Sequence, residues 1–161
     1  MRSLARWYAW ALLLVLLDQL SKYWISASLS YGETRAYTGF FNLVLTYNKG
    51  AAFSFLASAA GWQRGFFIAV ALVAMVVISV LLARHAREKL FCTALALILG
   101  GAMGNVLDRI VLGHVVDFLD FHFAGWHWPA FNLADSAITV GAVLLIADSF
   151  RAGARRAGEA R

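Results

Sequence analysis

Charged residues and cysteines are scarce in this chain of 161 residues. Only 14% of the residues are charged, whereas 61% are hydrophobic and the mean hydropathy is +0.70. A soluble domain of this length cannot bury so much apolar surface, so the composition predicts an integral membrane protein. The single cysteine, Cys92, lies in an apolar run, which excludes a disulfide framework and a cysteine-based metal site. We interpret Cys92 as a small buried hydrophobic residue.

Acidic residues are fewer than basic residues, and the formal net charge is +5. Nucleic-acid-binding proteins are often basic, but the basic residues of this chain do not form one stripe. They gather at the ends of apolar runs, which is typical of membrane topology. We therefore expect no nucleic-acid partner.

Four apolar segments approach the ~20 residues that a helix needs to cross a bilayer. They are Trp7–Ile25, Gly65–Ala83, Leu90–Leu107 and Phe131–Phe150. The predicted fold is therefore an all-α polytopic membrane protein with four transmembrane helices. Without repeats or linkers in the sequence, residues 1–161 are predicted to form one domain. Residues 151–161 are predicted to be a basic cytoplasmic tail without regular structure.

The positions of Lys and Arg indicate the orientation of these spans, because basic residues favour cytoplasmic loops. Most of them flank the same ends of the spans. They are Arg2, Arg6, Arg84, Arg87, Lys89, Arg151, Arg155, Arg156 and Arg161. Both termini are therefore expected inside, and the loops Ser26–Arg64 and Asp108–Ala130 outside.

The two outer loops contain short patterned segments. In Phe41–Tyr47 apolar residues recur at every second position, which predicts a β-strand. Asn48-Lys49-Gly50 predicts a turn after the strand, so we expect a small extracytoplasmic β-sheet. His114–Phe123 alternates less regularly and is predicted to form a short interfacial helix.

Nearly all polar residues of the predicted spans lie at their outer ends. Those on one span are three or four positions apart and share a helix face. They are Asp18 and Lys22 in the first span, Asn105, Asp108 and Arg109 in the third, and Asn132 and Asp135 in the fourth. We interpret Asp18 with Lys22 as a structural ion pair and Asp108 with Arg109 as structural or orienting. Small residues would let the third span pack closely against its neighbours. They are Gly100, Gly101 and Gly104.

Asp117 and Asp135 have no cation at helical spacing, although carboxylates are costly in apolar surroundings. Each needs a partner from elsewhere in the fold, and each can be the partner of the other. Two carboxylates within hydrogen-bond reach share a proton, so one acts as base and the other as acid. Such a pair can activate water and hydrolyse a peptide bond without a metal or another cofactor.

The residues alone leave other interpretations open. His114, Asp117, Asp120 and His122 include zinc-type ligands, but not at a familiar spacing. Asp120 is expected to be exposed rather than catalytic. A small proton- or ion-coupled transporter is an alternative, because intramembrane Asp and Arg also mark ion paths. A third class is a non-catalytic assembly factor that uses the glycine-rich span as a packing face.

Five motifs follow one another from the first span to the fourth. They are Asp18-Gln19-Leu20-Ser21-Lys22, Asn48-Lys49-Gly50-Ala51-Ala52-Phe53-Ser54, Gly101-Ala102-Met103-Gly104-Asn105-Val106-Leu107-Asp108-Arg109, Val116-Asp117-Phe118 and Phe131-Asn132-Leu133-Ala134-Asp135-Ser136. Together they resemble the lipoprotein signal peptidase family, signal peptidase II of the bacterial inner membrane. The resemblance implies an aspartic endopeptidase that removes the signal peptide of a diacylglyceryl-modified prolipoprotein, cleaving before the lipidated cysteine.

The resemblance also implies roles for individual residues. Asp117 and Asp135 are the implied catalytic pair. The implied supporting or substrate-binding residues are Asp18, Lys22, Asn48, Gly50, Asn105, Asp108, Arg109, Asn132 and Ala134. Asn132 is expected to orient the Asp135 carboxylate. The implied partners are lipidated prolipoproteins, membrane lipids and the cyclic peptide inhibitor globomycin, with the site at the periplasmic face. We expect no metal, and we expect a monomer.

Overall fold

The computed structural model of the protein describes residues 2–50 and 62–159. Its helices are α1 (Arg2–Ser28), α2 (Trp62–Arg84), α3 (Lys89–Val111) and α4 (Leu133–Glu159). Its strands are β1 (Thr34–Ala36), β2 (Phe41–Asn48), β3 (Val115–Phe123) and β4 (Trp126–His127). The strands form a small antiparallel sheet in the order β1-β2-β3-β4. Motif residues Ala51 to Ser54 lie outside the described residues.

Three helices of the described chain are long and apolar enough to cross a bilayer. They are Trp62–Arg84, Lys89–Val111 and the Leu133–Arg151 part of α4. They coincide with the second, third and fourth predicted spans. The first predicted span lies within α1, a helix of 27 residues that carries Asp18 and Lys22 and is not among the three. The fold is therefore mostly helical, with three candidate membrane helices and a small sheet.

Close packing of α3 against α1 and α4 depends on three glycines. A Cβ atom at Gly100 would lie 2.7 Å from a backbone oxygen of α1. At Gly101 it would meet the backbone oxygen of Ala134, and at Gly104 it would lie 2.5 Å from Asp18 Oδ2. Only glycine lets the helices approach this closely, which confirms the predicted packing role of these residues.

Two apolar clusters hold the helices and the sheet together. The first joins the helices near the N-terminal ends of α1 and α3 and includes Trp7, Ala11, Leu82, Cys92, Leu95 and Leu99. Cys92 is fully buried in it, as predicted. The second cluster joins the C-terminal end of α1 to β2 and β3 and contains Ile25, Leu29, Leu45, Val116 and Phe118. The sheet is thus fixed to the end of the bundle at which the polar residues lie.

The predicted strand over Phe41–Tyr47 is confirmed as β2, which pairs with β3. The pairing changes register between Leu43 and Thr46, and Thr46 then lies opposite Asp117. Such irregularities bend a strand and re-aim its side chains. Here the change in register directly precedes the residue pair that contains Asp117.

The predicted interfacial helix over His114–Phe123 is wrong, because this segment forms β3. Its β-branched and aromatic residues favour a strand, and pairing with β2 gives partners to its backbone. Asp120 is also not exposed as predicted: its side chain is buried and accepts hydrogen bonds from Asn42 Nδ2 at 2.7 Å and His127 Nδ1 at 2.9 Å. A strand that is buried on both faces lacks the alternation of apolar and polar residues by which a strand is recognised in a sequence.

Both ends of α4 differ from the prediction. The helix begins at Leu133 rather than Phe131, since Asn132 precedes it as the capping residue. The segment after Phe150, predicted to lack regular structure, continues as helix to Glu159. Alanine, arginine and glutamate are strong helix formers, which accounts for the extension.

Candidate active site

A buried ammonium group forms the centre of the polar cluster. Lys22 on α1 is 3% exposed, and its Nζ lies 2.8 Å from Asp18 Oδ2 and 2.9 Å from Asp108 Oδ2. It also donates to Asn105 Oδ1 at 3.0 Å, which uses all three of its N–H donors. The expected ion pair between Asp18 and Lys22 is present, and Asp108 from α3 joins it.

Asp108 therefore pairs with Lys22 rather than with its neighbour Arg109. Its Oδ1 accepts a hydrogen bond from Gln19 Nε2 at 2.8 Å, and its Oδ2 accepts one from Val116 N–H at 3.1 Å. Gln19 was missed as a supporting residue, although it lies three positions before Lys22. Its long side chain reaches α3. Asp108 thus connects α1, α3 and the start of β3.

Asp18 connects α1 to the start of α4. Its carboxylate is fully buried, and Oδ1 accepts a hydrogen bond from the backbone N–H of Ala134 at 3.0 Å. The first N–H groups of a helix lack partners within the helix and favour a negative charge. Asp18 satisfies one of them, which fixes the first turn of α4 against α1.

Asp117 lies on β3, is 2% exposed and accepts a hydrogen bond from Asn132 Nδ2 at 2.7 Å. Burial and the negative charge of Asp135 raise the pKa of Asp117 to about 7, against the hydrogen bonds from Asn48 and Asn132, which lower it. A carboxyl group in this environment holds a proton near neutral pH.

Asp135 lies in the first turn of α4, where a negative charge is favoured. Its Oδ1 accepts a hydrogen bond from Asn105 Nδ2 at 2.7 Å. Asn132 and Asp135 also cap the helix reciprocally: Asp135 N–H donates to Asn132 Oδ1 at 2.9 Å, and Asn132 N–H approaches Asp135 Oδ2 at 3.4 Å. Asn132 thus contacts the Asp135 carboxylate through its backbone N–H, as expected, whereas its side-chain NH₂ group donates to Asp117.

Hydrogen bonds through two asparagines join the two aspartates. Asn132 Nδ2, which binds Asp117, also lies 3.3 Å from Asn105 Oδ1, and Asn105 Nδ2 binds Asp135. The ammonium of Lys22 can only donate, so the oxygen of Asn105 must face it. The NH₂ group of Asn105 is then directed to Asp135. The orientation of this amide therefore follows from the buried Lys22.

Arg109 connects α3 to the turn that follows β2. Its Nη2 donates to Gly50 O at 2.8 Å, and its guanidinium carbon lies 5.4 Å from the centroid of the Phe67 ring. Gly50 N–H donates to Asn48 Oδ1 at 2.9 Å, which forms the predicted turn. Arg109 Nε is buried and has no hydrogen-bond partner among the described residues.

The residues of the zinc interpretation have different partners in the structure. The His114 ring packs on Tyr47 at 4.1 Å between centroids, Asp117 accepts a hydrogen bond from Asn132, and Asp120 binds His127. Among residues 2–50 and 62–159, no group of three or more His, Cys, Asp or Glu residues is arranged to hold a metal ion. The zinc interpretation has no support in this part of the chain.

A cavity of about 390 Å³ opens beside Asp135. One wall of the cavity is formed by α4 between Asp135 and Val140. The rest of the lining is mainly apolar. The lining includes Asn48, Trp128, Phe131, Ser136 and Thr139. The carboxylate of Asp135 is therefore accessible from a largely apolar space.

Comparison with known proteins relates this geometry to a family. The sequence model of signal peptidase (SPase) II matches residues 10–151. The chain is 62% identical over 149 residues to a lipoprotein signal peptidase of Paraburkholderia phytofirmans, covering 92% of this chain and 87% of that protein. This chain belongs to the signal peptidase II family. The family assignment replaces the transporter and assembly-factor interpretations.

Further relatives agree with this assignment. A lipoprotein signal peptidase of Cupriavidus taiwanensis is 63% identical over 145 residues, covering 90% of this chain and 82% of that protein. A bacterial membrane enzyme solved by the in meso method at 2.3 Å resolution superposes with a TM-score of 0.81 at 29% identity, covering 91% of this chain and 88% of that chain. As a member of the signal peptidase II family, the chain is a multi-pass membrane aspartic peptidase that removes signal peptides from prolipoproteins.

Proposed function

We propose that Asp117 and Asp135 are the catalytic residues that hydrolyse the peptide bond before the lipidated cysteine of the prolipoprotein. The observation that carries this proposal is their joint environment. Both carboxylates are held by asparagine amides, and the pKa of Asp117 is raised to about 7 by burial and by the charge of Asp135. Near neutral pH such a pair holds one proton and presents one base.

The pair acts on a water molecule and the scissile carbonyl group. The ionised carboxylate takes a proton from water as the water oxygen attacks the carbonyl carbon, and the protonated carboxyl group donates to the carbonyl oxygen. The C–N bond then breaks as the departing amine takes a proton from the pair. A hydroxyl proton of the tetrahedral intermediate returns to the pair, which restores its starting state with one proton. The proton belongs to both aspartates together, so the two roles are not assigned to single residues.

Supporting roles are proposed for the residues around the pair. Lys22, with Asp18 and Asp108, sets the orientation of Asn105, and the Ala134 N–H group fixes α4 on Asp18. A second group holds the turn after β2, and consists of Asn48, Gly50 and Arg109. Arg109 Nε, which has no hydrogen-bond partner among the described residues, is a donor for a carbonyl group of the bound peptide.

The cavity beside Asp135 is proposed to receive the substrate near the scissile bond. Its mainly apolar lining suits a lipid-modified peptide and keeps water scarce around the pair. Globomycin, a cyclic peptide, is proposed to compete for the same cavity. Catalysis needs no metal under this scheme.

The proposed topology adds α1 as a fourth span and makes residues 1–161 one membrane domain. Its 27 residues extend ~40 Å, and it exposes a row of large apolar side chains that suits lipid contact. They are Leu12, Leu13, Leu16, Leu17, Leu20 and Trp24. Both termini then lie on the cytoplasmic side of the bacterial inner membrane, with the site at the periplasmic face. We propose that a monomer suffices, since the described catalytic residues all come from one chain.

The test compares Asp117→Asn and Asp135→Asn with a matched control, Asp120→Asn. Asp120 is a buried aspartate on the same strand as Asp117, and it binds Asn42 and His127 instead of the pair. Cleavage of a diacylated prolipoprotein in vesicles should fall about 10²–10⁴-fold in the first two variants and by much less in the control. An unmodified precursor should be a poor substrate for all forms.

Retained cleavage in either Asn variant would contradict the assignment of the pair. Loss of activity on titration with a chelator would instead favour metal chemistry. Membrane insertion and thermal unfolding of each variant, measured in the same preparation, separate a chemical defect from a folding defect.

A further inference from the structure

An apolar groove with two cations at one end lies between α1 and α3, at the opposite end of α3 from Asn105. Its volume is about 500 Å³. The cations are Arg6 and Lys89. Its apolar wall includes Trp10, Leu13, Leu14, Leu17, Ala96 and Leu97. The groove has no part in the site described above.

The groove follows from how the two helices pack. At Gly100 the helices touch, since a Cβ atom there would lie 2.7 Å from Ala11 O and 2.9 Å from Leu14 Cδ2. Towards their N-terminal ends, α3 presents Ala96 and Thr93 to the groove. These side chains are too small to fill the space between the helices, so an open apolar channel remains.

The length of the groove matches one leaflet of a bilayer. Its lining runs from Arg6 to Leu17 on α1 and from Lys89 to Leu97 on α3, which is ~17 Å and ~12 Å along the two helix axes. Half of a hydrocarbon core of ~30 Å is ~15 Å. An acyl chain that lies in the groove would therefore place its headgroup beside the two cations.

The cations are positioned and available. Arg6 stacks on the ring of Trp7, with its guanidinium carbon 4.4 Å from the ring centroid. Trp7 is in turn fixed by a hydrogen bond from its Nε1 to Ala86 O at 3.1 Å. Within the part of the chain that the structure describes, neither Arg6 nor Lys89 forms an ion pair with a carboxylate.

We propose that this groove binds a phospholipid whose headgroup has a net negative charge. Arg6 and Lys89 would contact the phosphate, and the leucines would contact one acyl chain. A zwitterionic phospholipid such as phosphatidylcholine carries a positive group beside its phosphate, and two cations disfavour that group. The groove of about 600 Å³ between α1 and α2 provides an internal contrast, because its lining contains no charged residue. It can take an acyl chain without selecting a headgroup.

The test uses the delipidated full-length protein in detergent. It is incubated with phosphatidylglycerol or with phosphatidylcholine of the same acyl chains, and the retained lipid is counted by native mass spectrometry. Each cation near the headgroup contributes roughly fivefold in affinity, so a preference for phosphatidylglycerol of roughly twentyfold is expected. Arg6→Gln with Lys89→Gln should abolish this preference.

Two controls separate the groove from general surface charge. Arg84→Gln with Arg87→Gln removes two exposed cations at the same end of the helices that do not line the groove, and should keep the preference. Thr93→Phe keeps every charge but fills the groove, and should reduce retention of both lipids. An equal effect of the two Gln pairs, no preference in the natural chain, or full retention in Thr93→Phe would each overturn the proposal.

Discussion

At the scale of single residues, the site depends on one positive charge held among negative ones. Lys22 has two carboxylates and one amide oxygen around it and is almost fully buried. Buried ion pairs add little net stability over apolar packing, but the loss of one partner leaves an uncompensated charge. Asp18 and Asp108 would then repel each other in the space that Lys22 fills.

Lys22→Met should therefore destabilise the fold strongly, by about 3–5 kcal/mol. Asn105 would also lose the donor that directs its amide to Asp135, so cleavage should fall in whatever fraction stays folded. The measurement is thermal or denaturant unfolding in detergent. Lys49→Met is the matched control, because Lys49 is exposed, and its effect should stay within about 0.5 kcal/mol. Similar losses from both variants would argue against a special role for the buried lysine.

Asp117 gives the site a pH-dependent stability whose sign follows from its pKa. The pKa rises from 3.8 in the unfolded chain to about 7 in the fold because of burial and the charge of Asp135. Between these values the folded chain binds a proton that the unfolded chain has lost. The contribution of Asp117 to the free energy of unfolding is therefore complete below pH ~4, falls as the pH rises, and is lost above pH ~7.

Asp117→Asn should then stabilise the protein at pH 8 relative to the natural chain, by at most about 4 kcal/mol, and much less at pH 4. The measurement is the midpoint of thermal unfolding in detergent over that pH interval. A difference between the two proteins that does not change with pH would contradict the raised pKa. Cleavage by the natural chain should also decline above pH ~7, as the pair loses its shared proton.

At the scale of elements, α3 is the helix that aligns the two aspartates. It contacts α1 at Gly100 and Gly104 and α4 at Gly101, and it carries Asn105 one turn from these contacts. Interiors packed this closely transmit small displacements rather than absorbing them. A change in the spacing of α3 and α4 therefore alters the hydrogen bond from Asn105 to Asp135.

Gly101→Ala should lower stability by about 1–3 kcal/mol and reduce cleavage, because its methyl group would meet the backbone oxygen of Ala134. Gly65→Ala on α2 is the matched control. A Cβ atom there meets no atom of the described residues within 4 Å, and alanine is the better helix former, so this variant should be neutral or slightly stabilising. Unfolding and cleavage are compared for both. Wild-type behaviour of Gly101→Ala would show that the helices can separate freely.

Elements with a strong local pattern were predictable, and those decided by tertiary contacts were not. The apolar runs and the alternation in Phe41–Tyr47 depend on neighbours in sequence, and helices and a strand form there. β3 is buried on both faces by its partners, so its sequence has no clear period. The pairing of Asp108 with Lys22 across two helices is likewise invisible to rules of three- and four-residue spacing.

The residues of the site could be predicted from the sequence, but the hydrogen bonds that join them could not. The polar residues were expected at one end of the spans, and Lys22, Asn105 and Asn132 do form one hydrogen-bonded cluster. Which amide binds which aspartate depends on where α4 begins. Asn132 lies outside the helix as its cap, so its side chain is free to reach Asp117.

At the scale of the whole molecule, the sheet and the basic residues of the turn between α2 and α3 lie at opposite ends of the bundle. The C-terminal end of α1 packs on the sheet through Ile25 and Leu29, whereas Arg84 and Lys89 lie at the turn between α2 and α3. Basic residues favour the cytoplasmic side, so the sheet and the two aspartates should face the periplasm. This orientation would place the two aspartates on the side of the membrane at which we propose that prolipoproteins are cleaved.

Labelling of single cysteines tests this orientation directly. Cys92, the only natural cysteine, is fully buried, and Cys92→Ala gives a background without thiols. In that background Glu33→Cys, beside β1, should react with a membrane-impermeant maleimide in intact spheroplasts. Arg87→Cys, in the turn between α2 and α3, should react only after the membrane is permeabilised, although Arg87 is exposed in the fold and the Glu33 side chain is partly exposed. The reverse pattern would place the aspartates in the cytoplasm, where a secreted precursor with its lipid in the outer leaflet could not reach them.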